Sequence, residues 1–417
     1  MNNTHLYHLS NGIPVIICNS AFQTCKILVS LNFGARDENS SEYGITHFIE
    51  HLLGQSVTGE STFGNLQKQI EKLGGNVNLY TNYSRIAFWV NVIPENIVDV
   101  VKIIAPQIMT PIFDVQKIEQ EKTVILDEYR RSADNKSWLV FKYTNLFKNT
   151  GLGHDILGTP ETIQSFTKEV LSDYYFSHLS NDKCNIVIIG QVNNTQKLLS
   201  ELENGFGKMP CISYEHSIQP IRQTVVHNLK SSDKNIKLAL GFDAQVSDER
   251  KNQIIASVFM TILQKRLMKV LRYEKGLVYT IKCPTIGVMN TKLYTIETEN
   301  SVQYIENIVK NIAIVCKNIL SSEQITAEEL QIAKNVFKYS LLRDMDSIDA
   351  SCGIYAQYMA YYHKLYDVNT DKQILDSLTL DSVISAGVVL LNAPLSIVTQ
   401  GPEYNCDIVD VWKKYFC

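Results

Sequence analysis

The segment at residues 45–53 limits the fold of this chain strongly, because its apolar residues repeat with the period of an α-helix. The polar residues His47, Glu50 and His51 fall on the opposite face of such a helix. In a β-strand, neighbours in this stripe would point to opposite sides of the sheet, so the pattern favours a helix. The stripe that we expect to face a protein core consists of Ile45, Phe48, Ile49, Leu52 and Leu53.

The two histidines of this helix are one turn apart, which allows both imidazoles to bind a single metal ion. Glu50 lies next to His51, where a carboxylate is well placed to act as a base. A catalytic zinc ion usually takes three protein ligands and leaves a fourth position for water. The motif therefore indicates a zinc site that still needs a third ligand.

A second helix is predicted at residues 119–131, a stretch without glycine or proline. Glu121 and Glu128 are two turns apart on one face of this helix, and either of them could reach a neighbouring helix. An isolated glutamate is more often a solvated surface charge. The residues alone leave both carboxylates open as the third ligand.

In this motif a histidine comes first and the glutamate comes late, directly before the second histidine, which is the inverse of the order in common zinc peptidases. The inverted order resembles that of the pitrilysin-type peptidases, or inverzincins. The resemblance implies that one zinc ion per chain is bound by His47, His51 and Glu128. It also implies that Glu50 is the general base and that Glu121 is the acidic residue just outside the ligand set.

The segment at residues 74–81 resembles the edge strand that binds the peptide substrate in this family. The resemblance implies that Asn78 contacts the substrate, and an open strand edge suits the backbone of an extended peptide. Without the resemblance, the segment is equally well a Gly-Gly turn followed by an ordinary strand. Leu79 stands where the family usually has alanine, which alters the adjoining pocket.

The segment at residues 272–279 resembles the R-x-x-x-G-L-x-Y sequence of the same family. The resemblance implies that Arg272 and Tyr279 anchor the substrate and stabilise the negative oxygen formed when a peptide carbonyl is attacked. Read alone, they are typical of a surface arginine and a half-buried strand tyrosine. His154 is a further candidate ligand, but the resemblance gives it no role at the metal.

An internal repeat divides the chain, because residues 27–35 are echoed at residues 237–244. We expect a zinc-binding domain at 1–212 and a second domain at 223–417. The helix of the second copy carries Ala256, Phe259 and Met260 in place of the metal motif. The resemblance implies an α+β fold of two duplicated α/β domains, each a largely antiparallel sheet packed against helices.

Two such domains make half of the clam-shaped assembly that the family uses, so the resemblance implies a dimer. Arg272 and Tyr279 of one subunit would face the zinc site of another. A homodimer is the simpler expectation, because the chain contains both sets of groups. A heterodimer with a related chain remains the alternative.

The composition argues against other classes of protein. The net charge is −4 and the isoelectric point is about 6.2, without a basic run, so nucleic acid is not an expected partner. No apolar stretch is long enough for a membrane span, and Met1 to His5 do not begin a targeting peptide. The nine cysteines include no C-x-x-C pair, which fits a cytoplasmic protein with reduced thiols.

We therefore expect a zinc-dependent endopeptidase that cleaves short or unfolded peptides. One alternative is a dedicated maturation protease for the leader of a peptide natural product, since residues 52–58 depart from the usual family pattern. The other is a non-catalytic scaffold or partner subunit of the same family. Inactive members usually lose metal residues, whereas this chain keeps the whole set.

Overall fold

A computed structural model describes residues 3–55, 65–134, 138–211, 225–288, 291–321 and 323–416. These residues form two compact units. The first unit consists of residues 1–137, 154–217 and 343–366, and the second consists of residues 138–153, 218–342 and 367–417. Each half of the sequence therefore contributes one short segment to the unit that the other half builds.

The first unit contains a six-stranded sheet with the order β1-β2-β6-β3-β5-β4. Only the β2–β6 pair is parallel, and every other pair along this order is antiparallel. Among the described strands, β5 is the only neighbour of β4 in the sheet order, so β4 is an edge strand. The strands are β1 (Asn3–His8), β2 (Pro14–Asn19), β3 (Cys25–Leu31), β4 (Asn76–Thr81), β5 (Ile86–Val92) and β6 (Cys184–Gly190).

The helices of the first unit cover this sheet. Every residue of the central strands β3 and β6 is buried, which explains their nearly continuous apolar sequences. The helices are α1 (Ile45–Gln55), α2 (Asn65–Lys72), α3 (Ile97–Met109), α4 (Val115–Asp134), α6 (Pro160–Ser165), α7 (Lys168–His178), α8 (Thr195–Phe206) and α12 (Ile348–Tyr362), while α5 (Trp138–Leu146) lies in the second unit.

Among the described residues, the second unit repeats the strand order of the first except for β1, which has no counterpart in its sheet. Its sheet has the order β10-β11-β8-β12-β7, with β9 paired to β11, and only the β12–β7 pair is parallel. The strands are β7 (Val226–Lys230), β8 (Asn235–Phe242), β9 (Ile281–Lys282), β10 (Thr285–Val288), β11 (Thr291–Ser301) and β12 (Leu395–Gly401). The remaining helices are α9 (Arg250–Leu267), α10 (Ile305–Leu320), α11 (Ala327–Met345), α13 (Val368–Ser377), α14 (Leu380–Leu391) and α15 (Ile408–Phe416).

The sequence repeat coincides with corresponding strands of the two sheets. β3 lies between β6 and β5, and β8 lies between β12 and β11, so both copies of the repeat form a central strand. Both strands are followed by a long helix, α1 in the first unit and α9 in the second. The prediction of two largely antiparallel sheets packed against helices is confirmed.

The two short exchanged segments each contribute a helix to a sheet. α12 comes from the second half of the sequence and contacts β6 and β3 of the first unit, while α5 comes from the first half and contacts β12 and β8 of the second unit. The predicted division into 1–212 and 223–417 did not foresee this exchange. The boundary that it implies, at residues 213–222, lies outside the described residues.

No single helix among the described residues is long and apolar enough to cross a membrane. α13 and α14 meet that criterion only when taken together, on length and composition, across a 96° bend. The eight cysteines that the structure describes are all free thiols.

Candidate metal centre

The helix α1 has the amphipathic character that its sequence predicts. The five apolar residues of the stripe are at most 3% exposed and belong to the core of the first unit. His47, Glu50 and His51 lie on the other face, and the two imidazole rings are 4.6 Å apart between centroids. Burial of the stripe holds α1 against the sheet, so it also fixes the direction in which these polar side chains point.

The third predicted ligand comes from α4, which packs against α1. The Glu128 Oε2 atom is 3.9 Å from His47 Nε2 and 3.7 Å from His51 Nε2. One potential ligand atom from each of the three residues lies within 4.8 Å of the others. Among the residues that the structure describes, this is the only group of three that could bind a metal ion.

Glu121 lies behind His51 instead of among the converging atoms. Its Oε2 atom is 2.8 Å from His51 Nδ1, and its side chain is only 2% exposed. A hydrogen bond of this kind places the proton on Nδ1 and leaves the Nε2 lone pair free for a metal. The structure therefore separates the two glutamates, with Glu128 in the ligand position and Glu121 orienting the imidazole.

The geometry of this group fits a zinc ion. With bonds of about 2.0 Å, two ligand atoms in a tetrahedral site are about 3.3 Å apart, so the two distances from Glu128 Oε2 to the imidazoles exceed this value by roughly half an ångström. The Glu128 side chain is 43% exposed and is therefore free to move by that amount. His47 Nε2, His51 Nε2 and a Glu128 carboxylate oxygen are all donor types that zinc accepts.

The electrostatics of the site also suit a cation. Burial, with a smaller contribution from His51, lowers the pKa of His47 to about 3, so this imidazole is neutral and its lone pair is available. Its contacts with Glu50 and Glu128 are therefore not ion pairs. Burial opposes protonation of His51 too, but the hydrogen bond to Glu121 and the nearby carboxylates raise its pKa overall.

Glu50 lies beside the two imidazoles without bridging them. Its Oε2 atom is 4.0 Å from His47 Nε2 and accepts a hydrogen bond of 3.4 Å from the Thr81 hydroxyl at the end of β4. Burial raises the pKa of Glu50 above its ordinary value. A carboxylate with a raised pKa, next to a metal site but not part of it, has the properties of a general base.

A pocket of about 200 Å³ adjoins this group in the first unit. Gly54 lies one turn after His51 and contributes no side chain to it, so the pocket remains open at that point. Asn78 is exposed on β4, and Leu79 is 8% exposed, with its side chain in the core. The lining residues are Glu50, His51, Gly54, Leu66, Gln67, Val77, Asn78 and Leu79.

The other two predicted site residues lie in the second unit. The Arg272 guanidinium carbon is 4.8 Å from the centre of the Tyr279 ring and 5.5 Å from that of Tyr273. Tyr279 is 79% exposed, so the expectation of a half-buried strand tyrosine does not describe it. Arg272 and Tyr279 thus form a pair at the surface, and their role in catalysis stays a prediction.

The second unit has no counterpart of the metal site on α9. Ala256, Phe259 and Met260, which occupy the corresponding positions, are at most 2% exposed and belong to its core. His154, the weaker candidate ligand, is 3.0 Å from Glu38 through Nε2 and is not in the metal-binding group.

Sequence analysis missed Thr81 and Gly54. Strand alternation would have placed Thr81 on the same face as Leu79, but nothing local indicates that Glu50 lies opposite that position. Gly54 is three residues after His51, so helical periodicity places it near the motif. Its effect on the pocket depends on β4, which comes later in the chain.

Comparison with known proteins finds relatives among the zinc proteases and peptidases. A model of "Insulinase (Peptidase family M16)" matches residues 15–160, and a model of "Peptidase M16 inactive domain" matches residues 165–337. An uncharacterized zinc protease of Rickettsia felis is 24% identical over 409 residues, covering 96% of this chain and 98% of the relative. Subunit beta of the mitochondrial-processing peptidase of Rattus norvegicus is 30% identical over 210 residues, covering 50% of this chain and 42% of that subunit.

The solved structures agree on the fold. A protease from Helicobacter pylori superposes with a TM-score of 0.84 at 16% identity, covering 96% of this chain and 100% of that one. Fold and site together define a zinc-protease-like protein of the pitrilysin type. The two family models, which together match most of the chain, place it in peptidase family M16.

Proposed function

We propose that this protein is a zinc-dependent endopeptidase. The observation that carries the proposal is the convergence of His47, His51 and Glu128 from two helices, with Glu50 beside them and Glu121 behind His51. A zinc ion bound there would lower the pKa of a water molecule from ~15.7 towards ~7 and polarise the scissile carbonyl.

Glu50 has the central role among the protein groups. Its carboxylate accepts a proton from the attacking water as the oxygen bonds to the carbonyl carbon, and it returns that proton to the amine nitrogen when the C–N bond breaks. Thr81 holds the carboxylate through its hydroxyl. Arg272 and Tyr279 stabilise the negative oxygen of the tetrahedral intermediate.

The substrate is an extended peptide. β4 is the edge strand of its sheet and therefore has backbone groups available for another strand. Asn78 is exposed on that strand, and the pocket beside Glu50 and His51 accepts one side chain of the peptide. Recognition through backbone groups suits short or unfolded peptides of varied sequence.

A scaffold role is the weaker proposal. A scaffold has no need for a buried carboxylate aimed at a histidine, yet Glu121 and His51 keep a 2.8 Å contact and Glu50 keeps its raised pKa. The model named for an inactive domain matches residues 165–337, which contain none of the three proposed ligands.

We further propose that the active form is a dimer in which Arg272 and Tyr279 act on the zinc site of another copy. Tyr279 is 79% exposed and the Arg272 guanidinium lies against its ring, so this pair can contact a second molecule. One relative is itself named as a subunit of a larger peptidase. A homodimer is the simplest such assembly, because one chain carries both groups of residues.

The test is digestion of a peptide library by the purified protein, followed by mass spectrometry and metal analysis. We expect about one zinc ion per chain and cleavage that a chelator stops. Glu50→Gln should keep the zinc and lose at least ~100-fold in turnover. Normal turnover by this variant would rule out Glu50 as the base, and a protein without zinc or cleavage would support the scaffold role.

A further inference from the structure

A buried carboxylate outside the metal site accepts hydrogen bonds from the start of α1. Glu38 precedes the helix by several residues, and its side chain is fully buried, with 0% exposure. Sequence analysis gave it no role. A carboxylate removed from water in this way needs hydrogen bonds to every lone pair, because its desolvation is otherwise costly.

Glu38 finds those hydrogen bonds at the first turn of α1. The Gly44 amide donates to Oε2 at 2.8 Å, and the Thr46 amide donates to Oε1 at 3.0 Å. The Thr46 hydroxyl also donates to Oε1. Helix starts leave such amides without partners inside the helix, and they favour a nearby negative charge.

α1 cannot supply this acceptor itself. Gly44, the residue just before the helix, has no side chain, and the first turn of α1 contains no acidic residue. Gly44 adopts φ +92°, and a Cβ there would lie 2.6 Å from the Leu157 carbonyl oxygen. Because glycine is required at this point, Glu38 takes the place of a capping side chain.

His154 completes the hydrogen bonds of Glu38. Its Nε2 atom is 3.0 Å from Glu38 Oε2, and the imidazole is 5% exposed. The ring stacks on Tyr43 with centroids 3.9 Å apart, and the His154 carbonyl accepts a hydrogen bond from the Tyr83 hydroxyl at 2.8 Å. His154 is therefore fixed from three sides and holds the carboxylate in one place.

We propose that Glu38 and His154 are positioning residues, which fix the first turn of α1 so that His47 stays within reach of the metal ion that Glu128 binds. Thr46, whose amide and hydroxyl are both held by Glu38, is the residue directly before His47. A small rotation of this turn would move His47 away from Glu128, which is now 3.9 Å from it. The inference rests on the proposed zinc-dependent function.

Glu38→Gln is a sharp test, because it keeps the shape and removes the charge. Each Glu38 oxygen accepts one backbone N–H, from Gly44 or from Thr46. Whichever oxygen is replaced by an NH₂ group, one buried backbone N–H loses its acceptor. Neither backbone N–H can accept a hydrogen bond from the new NH₂ group instead. His154→Leu removes the remaining donor, whereas His154→Gln keeps an N–H group in its place.

The matched control is Asp371→Asn in the second unit. The Asp371 side chain is also buried, at 2% exposure, and it accepts hydrogen bonds from Arg250 at 3.0 and 3.1 Å. It belongs to the second unit, whereas the proposed zinc ligands all belong to the first. Its replacement therefore reproduces the general cost of altering a buried carboxylate.

The experiment measures zinc affinity by competition with a chelator, kcat and KM on one peptide, and hydrogen exchange of the amides at residues 44–47. For Glu38→Gln we expect a Kd for zinc about 10- to 100-fold higher, a lower kcat at unchanged KM, and faster exchange even in the zinc-free protein. His154→Leu should change in the same direction, and His154→Gln should recover most of the affinity.

Wild-type zinc affinity and amide exchange in Glu38→Gln would overturn the proposal. An equal loss of zinc affinity in Asp371→Asn would overturn it too, because the effect would then reflect general destabilisation. If the unaltered protein binds no zinc, the proposed function fails first. Faster exchange in Glu38→Gln would then still identify Glu38 as the group that fixes this turn, with no metal to position.

Discussion

Glu121 Oε2 and His51 Nδ1 lie 2.8 Å apart, so a carboxylate on α4 sets the orientation of an imidazole on α1. The contact joins two helices that are far apart in the sequence. It also determines which nitrogen of His51 faces Glu128. A change at Glu121 should therefore affect the metal site without removing any ligand.

Glu121→Gln is expected to raise the Kd for zinc by about 10- to 100-fold, because the amide cannot hold the proton of His51 Nδ1 as firmly as a carboxylate. Chelator competition on the purified protein measures the effect. Glu119→Gln is the control, since Glu119 is an exposed residue of the same helix that pairs with Lys122. Equal zinc affinities for the two variants would contradict the role of Glu121.

Thr81→Val should shift the pH dependence of kcat/KM. The Thr81 hydroxyl lowers the pKa of Glu50, although burial raises it overall, so removal of the hydroxyl raises that pKa further. Glu50 acts as a base only when ionised, and activity is lost as the pH falls through its pKa. The acid limb should therefore move to higher pH in Thr81→Val and stay in place in Thr81→Ser.

Gly54→Phe should narrow the pocket beside the metal centre. Among the described residues, a Cβ at Gly54 meets only the Leu79 Cδ1 atom, at 3.8 Å, so Gly54→Ala should fold normally and serve as the control. A phenyl group would occupy the space that a substrate side chain needs. We expect kcat/KM for peptides with a large side chain at that subsite to fall about 10-fold or more relative to small ones. An unchanged ranking of peptides would show that the pocket does not select them.

Mixing two inactive variants tests the proposed dimer. Glu50→Gln lacks the base, and Tyr279→Phe lacks the phenol that we expect to stabilise the transition state. If Tyr279 acts on another copy, half of a randomly mixed population is heterodimer with one complete site in two, which restores about a quarter of the activity. Activity no higher than the average of the separate variants would show that Tyr279 acts within its own chain or not at all.

Glu329→Gln should lower the stability of the folded protein near neutral pH, with a difference from the wild type that disappears in acid. Hydrogen bonds from Arg266, opposed in part by burial, lower the pKa of Glu329 from 4.5 to about 2. The folded pKa lies below the unfolded one, so this contribution is present above pH 4.5 and is lost as the pH falls towards 2. The side chain is 30% exposed, which limits the contribution to about 1 kcal/mol.

Urea unfolding between pH 2.5 and 6 measures this effect. The wild type should lose stability towards low pH more steeply than Glu329→Gln, and the difference between the two proteins should shrink as the pH falls towards 2. Glu328→Gln is the neighbouring control, because Glu328 is exposed. Parallel stability curves for the wild type and Glu329→Gln would contradict the assignment.

The sequence by itself determined the features that depend on local spacing. The stripe from Ile45 to Leu53 predicts which face of α1 is buried, because helical periodicity is a property of neighbouring residues. The same periodicity puts His47, Glu50 and His51 together on the other face. The repeat identifies β3 and β8 as equivalent strands, and the resemblance to a known family supplies the choice of Glu128.

Only the tertiary structure decided how distant segments meet. Glu121 and Glu128 lie on one helix face, and their different positions relative to His51 depend on the packing of α4 against α1. The contact between Thr81 and Glu50 likewise depends on where β4 lies. The exchange of α5 and α12 between the two units has no local signal, because it is set by which apolar surface each helix covers. Such contacts follow from packing between residues far apart in the chain, so the spacing of residues within one segment does not predict them.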